Sequence, residues 1–480
     1  MIASPLLKVA VNELIGFLLR AFALMSSSIT ALLDQIFDDS AFFDQVDKAA
    51  FEKWVRPSFQ NYEAGDSFCI NPNEKLLTEL VEAMAQPSTG QLNGPNFRVG
   101  RILLVTQYAP SFSHAGGLRL RDMYAKIRKF RPDIIIDLYC EANPAIDGDL
   151  TGLADIFDNI YLEQPGRLSV SVFRSMAGYQ KNYDLVDLQF HVAGKLAKDF
   201  RAIASRVIFT PMECISRSYF ELVKKKFERE NRISLTDIFG LIHTSVDELR
   251  IVRAVDHTVA VSDADAAFLR RLSPKSTISH ISTGLSDHEF SRELSQDFIP
   301  RDVDSKQKKL IFAAYFGSDT NLVGLRWYLE QVHPLVIQQC PDYELMVVGR
   351  GDLTWLSTMQ LHGVTIVGEV PFLAPVLEQA RGGLVLALHG SGFRGKINQY
   401  SVCGVPSIST RLGTTGLDYT DGENILVADE AFDFAQACIN ILSDVQLNRE
   451  ISAKARALAL EKYRWESIWG EFQAVYGLGL

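Results

Sequence analysis

From residue 101 onward, short apolar runs alternate with longer stretches whose apolar residues recur at helical spacing. Arg101-Ile102-Leu103-Leu104-Val105-Thr106 is the first run. Its near-continuous apolar character predicts a strand buried on both faces, as in a parallel sheet. A loop with Gly116-Gly117 and a helix from Leu118 to Phe130 follow it. Further strands are predicted at Asp133 to Tyr139, Asn159 to Leu162, Leu185 to Phe190, Val207 to Thr210, Thr258 to Val261 and Ser276 to Ile281. Most are separated by helical stretches, which predicts a sheet covered by helices on both faces. Residues 286–308 are polar, contain Pro300, and read as a linker. The alternation then restarts. Strands are predicted at Leu310 to Tyr315, Glu344 to Val348, Val364 to Val367, Gly383 to Leu388, Pro406 to Ser409 and Asn424 to Val427. Helices are predicted at Leu322 to Gln338, Leu373 to Gln379, Lys396 to Val402 and Phe432 to Leu442, with a long helical tail from Glu450 to Tyr476.

The expected fold class is α/β, with two Rossmann-like doubly wound domains and a helical N-terminal extension. The domains are placed at 96–285 and 309–450, joined by the linker 286–308, with a C-terminal helix over 451–480 crossing back to the first domain. Residues 1–95 lack strand alternation and read as helices at Ser28 to Phe37, Ala41 to Trp54 and Glu74 to Ala85. The turn-rich stretch Gln86 to Pro95 closes them off. Ligands of doubly wound sheets bind beyond the carboxyl ends of the strands, so two such sheets are expected to face a cleft.

Composition narrows the classes. A chain of 480 residues exceeds one ordinary domain, and 47% hydrophobic against 22% charged residues suffices for large cores. The net charge of −10 argues against holding a nucleic-acid backbone, which requires Lys and Arg to neutralise phosphates. Lys224-Lys225-Lys226 and Arg270-Arg271 are short and read as solvated helix faces. The six cysteines form no C-x-x-C pair and no cluster with zinc spacing. Such scattered cysteines point to reduced, buried thiols and a cytoplasmic setting. Residues Val9 to Met25 are apolar but interrupted by Glu13 and Arg20, so no run reaches the roughly 20 residues of a spanning helix. They read as an amphipathic helix that packs in a core or, through residues 1–30, meets a membrane surface or a partner.

The stretch richest in chemistry is Leu386-Ala387-Leu388-His389-Gly390-Ser391-Gly392-Phe393-Arg394-Gly395-Lys396. A buried strand ends, a glycine-rich loop turns, and a helix begins. Glycines let the backbone approach a ligand closely. The opening N–H groups of the helix attract an anion, and Arg394 and Lys396 add positive charge. A phosphate or diphosphate site is the direct physical reading. A nucleotide P-loop would need Ser or Thr after the lysine, where Ile397 stands. A dinucleotide fingerprint belongs after the first strand of its unit, with an acid about 20 residues on, whereas this loop follows the fourth strand. Arg411 near the end of the next strand keeps an NADP-dependent oxidoreductase as an alternative.

Several stretches in order carry a family resemblance. They are Phe316-Gly317-Ser318 with Asn321 and Trp327; Glu344 to Gly351; Val364 to Pro371; Gly390 to Thr410 with Gly416-Leu417; and Asp421 to Val427. Gln107 to Pro110 with Gly116-Gly117, and Val259 to Ser262 with Asp265, extend them more loosely toward the N-terminus. Residues from about 100 to 478 thereby resemble group 1 glycosyltransferases of the GT-B fold. The resemblance implies a retaining, metal-independent transferase that moves a sugar from a UDP- or GDP-sugar to a glycan, lipid-linked or protein acceptor. It implies no cofactor beyond the nucleotide-sugar substrate and no metal ligands. On the donor side it implies roles for Gly317, Ser318, Arg350, Glu369, Val370, His389, Gly390, Ser391, Gly392, Phe393 and Gln399. Arg394 and Lys396 would stabilise the leaving diphosphate. On the acceptor side stand Gly116, Gly117 and His191, with Glu213 placed to accept a proton. The chain departs from the family at two places. Gln399 stands where a glutamate normally meets the ribose, and the basic pair of the first donor loop is missing between Gly317 and Asn321, where Lys396 and Arg394 would substitute for it. The departure at Gln399 leaves a second alternative, a catalytically weakened GT-B scaffold that binds a partner.

Overall fold

The computed structural model describes residues 99–479 except Asp149, Ala177, Gln180, Lys181, residues 231–234, Gln360 and residues 391–393. The helices expected over 1–95, any contact through residues 1–30, and the candidates Ser391, Gly392 and Phe393 therefore lie outside the described residues. Two sheets organise the rest. The first contains β1 (Arg101–Thr106), β2 (Ile135–Glu141), β3 (Asn159–Glu163), β4 (Tyr183–Gln189), β5 (Ala204–Thr210), β6 (His257–Ala260) and β7 (Ile278–His280), in the order β3-β2-β1-β4-β5-β6-β7. The second contains β8 (Lys309–Ala313), β9 (Glu344–Val348), β10 (Val364–Gly368), β11 (Gly382–Val385), β12 (Ser407–Ser409) and β13 (Leu426–Val427), in the order β10-β9-β8-β11-β12-β13. Both orders are doubly wound and reverse once, between β1 and β4 and between β8 and β11. These are the two Rossmann-like domains expected from the alternation.

The helices that matter to the site are α1 (Ala115–Phe130), α2 (Ile215–Glu230), α3 (Leu235–Ala254), α4 (Asp263–Leu272), α5 (Asp319–Trp327), α6 (Lys396–Val402), α7 (Ala431–Ser443), α8 (Val445–Lys462) and α9 (Trp465–Tyr476). The second sheet shows why its strands read as continuous apolar runs. Leu310, Phe312, Leu345, Val347 and Leu384 point into one buried cluster. Ile311, Ala313, Met346, Val348 and Val385 point into another. Alternate side chains thus bury on opposite faces, and no position of β9 after Glu344 is exposed. β10 is one of the two edge strands, and Ile366 there remains 48% exposed.

Four local expectations shift. β2 begins at Ile135 because Arg131 closes α1 and Ile134 N–H bonds to Arg131 O in a turn. β11 ends at Val385; beyond it Ala387 O accepts the Thr410 hydroxyl at 2.6 Å instead of a ladder bond. The linker is packed rather than free, with Phe290 and Leu294 buried. The tail is two helices, because Tyr463 O leaves the helical pattern to accept from Leu285 N–H at 2.8 Å. The helix opened by α5 runs on through a π-helical stretch, Tyr328–Val332, into His333–Gln339. The extra residue per turn falls just before Pro334, which has no N–H to give an ordinary ladder.

By contacts, the described residues divide into two compact units. One holds Leu103–Thr106 and Ser169–His280; the other holds Arg98–Ile102, Gln107–Leu168 and Ile281–Leu480. No helix among the described residues is long and apolar enough to cross a membrane. The five described cysteines are buried thiols.

Candidate functional site

In the second unit, the reversal between β8 and β11 opens the crevice where doubly wound sheets take their ligands. Three loops build it. The loop after β9 lies directly on the loop after β8: Phe316 N–H bonds to Arg350 O at 2.7 Å and Ala314 N–H to Val348 O at 2.9 Å. Gly349 has φ +133°, and a Cβ there would stand 1.8 Å from Ala314 O. Gly351 has φ +139°, and its Cβ would stand 2.6 Å from Phe316. The two glycines around Arg350 are therefore demanded by backbone packing, not by a ligand. Gly317 has a similar cause, since its Cβ would meet the Tyr315 ring at 2.3 Å. Ser318 stands at the start of α5, its carbonyl accepting from Asn321 and Leu322 N–H.

The loop after β11 supplies the charge. Gly390 is buried in a left-handed conformation, φ +93°, and its missing side chain leaves room between Arg394 Nη2 and Thr320 Oγ1, each 3.4 Å from a notional Cβ. Lys396 opens α6. Its ammonium donates to Asn321 Oδ1 at 3.0 Å and lies 4.9 Å from the centre of the Phe312 ring. Asn321 is itself held by Tyr315 O, which accepts from Nδ2 at 2.8 Å. Tyr400 fixes α6 against the sheet: its ring occupies the space that a side chain at Gly383 would need, and its hydroxyl accepts from Ala313 N–H at 3.0 Å. No carboxylate among the described residues lies within ion-pair distance of Lys396. Burial, and then the neighbouring Arg394, push the Lys396 pKa down to about 7. Lys396 and Arg394, brought together beside the start of α6, form a site that favours an anion. His389 stands beside them, with Nε2 3.5 Å from the exposed Asp319 carboxylate. Gln399 lies one turn into α6, half-buried, with its N–H bonded to Gly395 O. Glu369 is exposed after β10, and Val370 packs on the buried cluster beneath.

Arg350 turns away from this crevice. Its Nη2 lies 3.3 Å from Ile146 O and 3.5 Å from Ser113 O, and its guanidinium lies 5.4 Å from the centre of the Tyr315 ring. The neighbours of those carbonyls, His114 and Asp147, form a second cluster. His114 caps α1: Nδ1 accepts from Gly117 N–H at 3.0 Å while Nε2 faces Asp147 Oδ1 at 3.5 Å. Asp147 also accepts from the N–H groups of Ala109 and Asn143. Gly116 and Gly117 thus sit in the first turn of α1. Gly117 must be glycine, because a Cβ would meet the His114 ring at 2.8 Å and Ala109 O at 2.9 Å.

His191 and Glu213 belong to the first unit. His191 follows β4, but its Nε2 meets Asp247 Oδ2 at 2.9 Å, and Lys195 meets the same oxygen at 2.7 Å. These contacts hold Asp247 well below the usual carboxylate range in spite of its burial. His191 is therefore part of a packing ion pair with α3. Glu213 is exposed beyond β5, after Met212, whose φ of +54° is unusual for a side-chain-bearing residue. Glu248 caps α2, accepting from Ile215 N–H at 2.6 Å and Ser216 N–H at 3.1 Å.

Asn321 and Thr320 escaped the sequence-based list of site residues. The available signal was their place: short polar side chains in the first turn of the helix after the first strand of the unit. His114 and Asp147 gave no such signal, because their pairing depends on two loops meeting.

Residues 307–444, which contain the whole crevice, match the model of the family described as glycosyl transferases group 1. The second sheet and its helices are thus similar to a group 1 glycosyltransferase domain. A curated relative, an uncharacterised 44.6 kDa protein in the cps region of Klebsiella pneumoniae, is 25% identical over 175 residues, covering 32% of this chain and 42% of the relative. Among solved structures, HepE of Anabaena in complex with UDP and glucose is similar with TM-score 0.57 and 14% identity, over 80% of this chain and 100% of that one. Sucrose-phosphate synthase of Thermosynechococcus elongatus is similar with TM-score 0.58 and 17% identity, over 78% and 98%. These solved structures share the fold, and the family match falls on the second sheet.

Proposed function

We propose that the protein transfers a sugar from a UDP- or GDP-sugar to a hydroxyl of a glycan, lipid-linked or protein acceptor, with retention of anomeric configuration. The observation that carries this reading is the enclosed pair Arg394 and Lys396 beside buried, left-handed Gly390, at the switch point of the matched domain. HepE, of the same fold, was solved with UDP and with UDP-glucose. In the reaction, the bond between the anomeric carbon and the β-phosphate oxygen breaks, and the nucleoside diphosphate departs. A bond from the acceptor oxygen forms on the same face of that carbon. The acceptor proton passes to the departing phosphate oxygen. Charge grows on the diphosphate as the first bond lengthens, and the two cations stabilise it where water is excluded. They supply this charge without a metal ion. Gln399 keeps one acceptor oxygen for a ribose hydroxyl but no charge.

The test is a thermal-shift screen with UDP, GDP and their sugar conjugates, without added metal. A ligand that binds only the native state raises its melting temperature by mass action. One nucleoside diphosphate and its sugar conjugate are expected to stabilise the protein, and NMR of the product should show the donor's anomeric configuration. An absence of any nucleotide shift would overturn the donor site; an inverted product would overturn retention alone.

A further inference from the structure

A second cavity lies in the second unit, away from the crevice loops. It has a volume of about 510 Å³, within the usual range of small-ligand sites. One wall is the segment Pro300 to Lys306 that leads into β8; the other is α8. Four cations line it, Arg301, Lys306, Arg449 and Arg456, against one acid, Asp302. Two of them are already engaged. Arg449 is paired with Asp302 at 2.9 Å and Asp304 at 2.6 Å. Arg456 donates to the backbone oxygens of Val402, Ser295 and Phe298. Among the described residues Arg301 bonds to Ser305 alone, through its hydroxyl and its carbonyl.

Lys306 is the telling residue. It is 4% exposed, yet its ammonium has a single hydrogen-bond acceptor, Gly404 O at 3.2 Å, and no ion-pair partner among the described residues. A buried ammonium that faces one carbonyl leaves much of its hydration unreplaced, which is costly. Its backbone is tied down by Arg381 Nε, which donates to Lys306 O at 3.1 Å, so the side chain is held at this wall. Gly404 forms the floor in a left-handed turn, with Pro300 pressed where its Cβ would be. Ala453, Ala457 and Leu460 add an apolar stripe.

We infer that this cavity is a binding site for a small phosphate monoester, whose phosphate sits on Lys306 and Arg301 and whose body lies on the apolar stripe of α8. The occupant ties the linker to α8 and neutralises the ammonium. Burial has already pushed the Lys306 pKa down to about 8, and an anion would return it upward.

Inorganic phosphate and phenyl phosphate serve as probes on the full chain, at constant ionic strength against chloride and acetate, read by thermal shift and calorimetry. Both phosphates are expected to give a saturable shift, with phenyl phosphate binding more tightly. Lys306→Met should weaken binding at least tenfold and Arg301→Gln at least threefold. Arg301→Gln keeps the test valid if the buried substitution fails to fold. Lys396→Ala, which removes charge from the crevice, should leave the response unchanged. Equal shifts with chloride, or no loss in Arg301→Gln and Lys306→Met, would overturn the site. Loss only in Lys396→Ala would place the anion in the crevice instead. A matching response to acetate would overturn the assignment to phosphate.

Discussion

The strand ends of the two sheets carry similar candidate residues and use them differently. After β8, β9 and β11 the loops lie on one another, and the chain brings Tyr315, Asn321, Gly390, Arg394 and Lys396 together. After β4 and β5 the candidates disperse. His191 is spent on Asp247, which it shares with Lys195, while Glu213 stands exposed beyond a left-handed Met212. A polar residue beyond a strand is therefore a weak sign of a site. A polar residue beyond a strand, beside a backbone that only glycine permits, is a strong one.

The largest effect that would sharpen this comparison comes from Lys396→Ala. Turnover should fall by about 10²-fold or more, as for loss of one donor to a developing anion. The fold should survive, because the substitution removes a half-buried charge that has no carboxylate partner among the described residues; a thermal melt within a few degrees of the parent checks this. Full activity would erase the distinction between the two sheets. Glu213→Gln comes next. Its carboxylate is expected to orient the acceptor, so kcat/KM for acceptor should drop about tenfold with donor affinity unchanged. His191→Ala is expected to leave kcat within about threefold and to cost roughly 1 kcal/mol of stability, a typical value for a partly buried pair. A hundredfold loss of turnover there would break the comparison, making His191 part of the machinery.

The smallest effect is a proton. With its pKa near 7, Lys396 is largely neutral at pH 8 in the unliganded protein. A diphosphate favours the charged form, so donor binding at pH 8 should take up a fraction of a proton, and at pH 6 almost none. Calorimetry in buffers of different ionisation enthalpy reads this directly. The same group affects stability with a definite sign. Its native pKa lies below the unfolded value, so the unfolded chain binds more protons between about pH 7 and 10.5, and this group's contribution to stability rises with pH across that window.

The strands were legible because parallel strands buried on both faces have no polar positions to blur them: Ile102 to Val105 and Leu345 to Val348 are nearly bare apolar runs. Their ends were less legible. Predicted β11 overran because Leu386 to Leu388 are apolar for packing rather than pairing. The tail break at Tyr463 depends on a partner, Leu285, that no local pattern reveals. The glycine-rich loop with Arg394 and Lys396 stood out from composition alone, whereas no local pattern shows where the side chain of Arg350 lies. The flanking glycines that made it conspicuous serve backbone packing, and its guanidinium lies beside the carbonyls of Ser113 and Ile146.

The last helix carries a consequence for biosynthesis. Leu285 N–H bonds to Tyr463 O, the Trp465 ring fills the space at Gly284, and Lys126 pairs with Glu466 at 2.6 Å. Arg131 donates to Leu478 O at 2.8 Å across a sequence separation of 347 residues. Helix α1 is thus covered by residues made long after it. While the ribosome is still adding the second sheet, α1 lacks this cover. Contacts of such separation close late and slowly. The growing chain must therefore hold α1 without this cover until those later residues are made, and what shields that surface meanwhile bears on its yield in the cell.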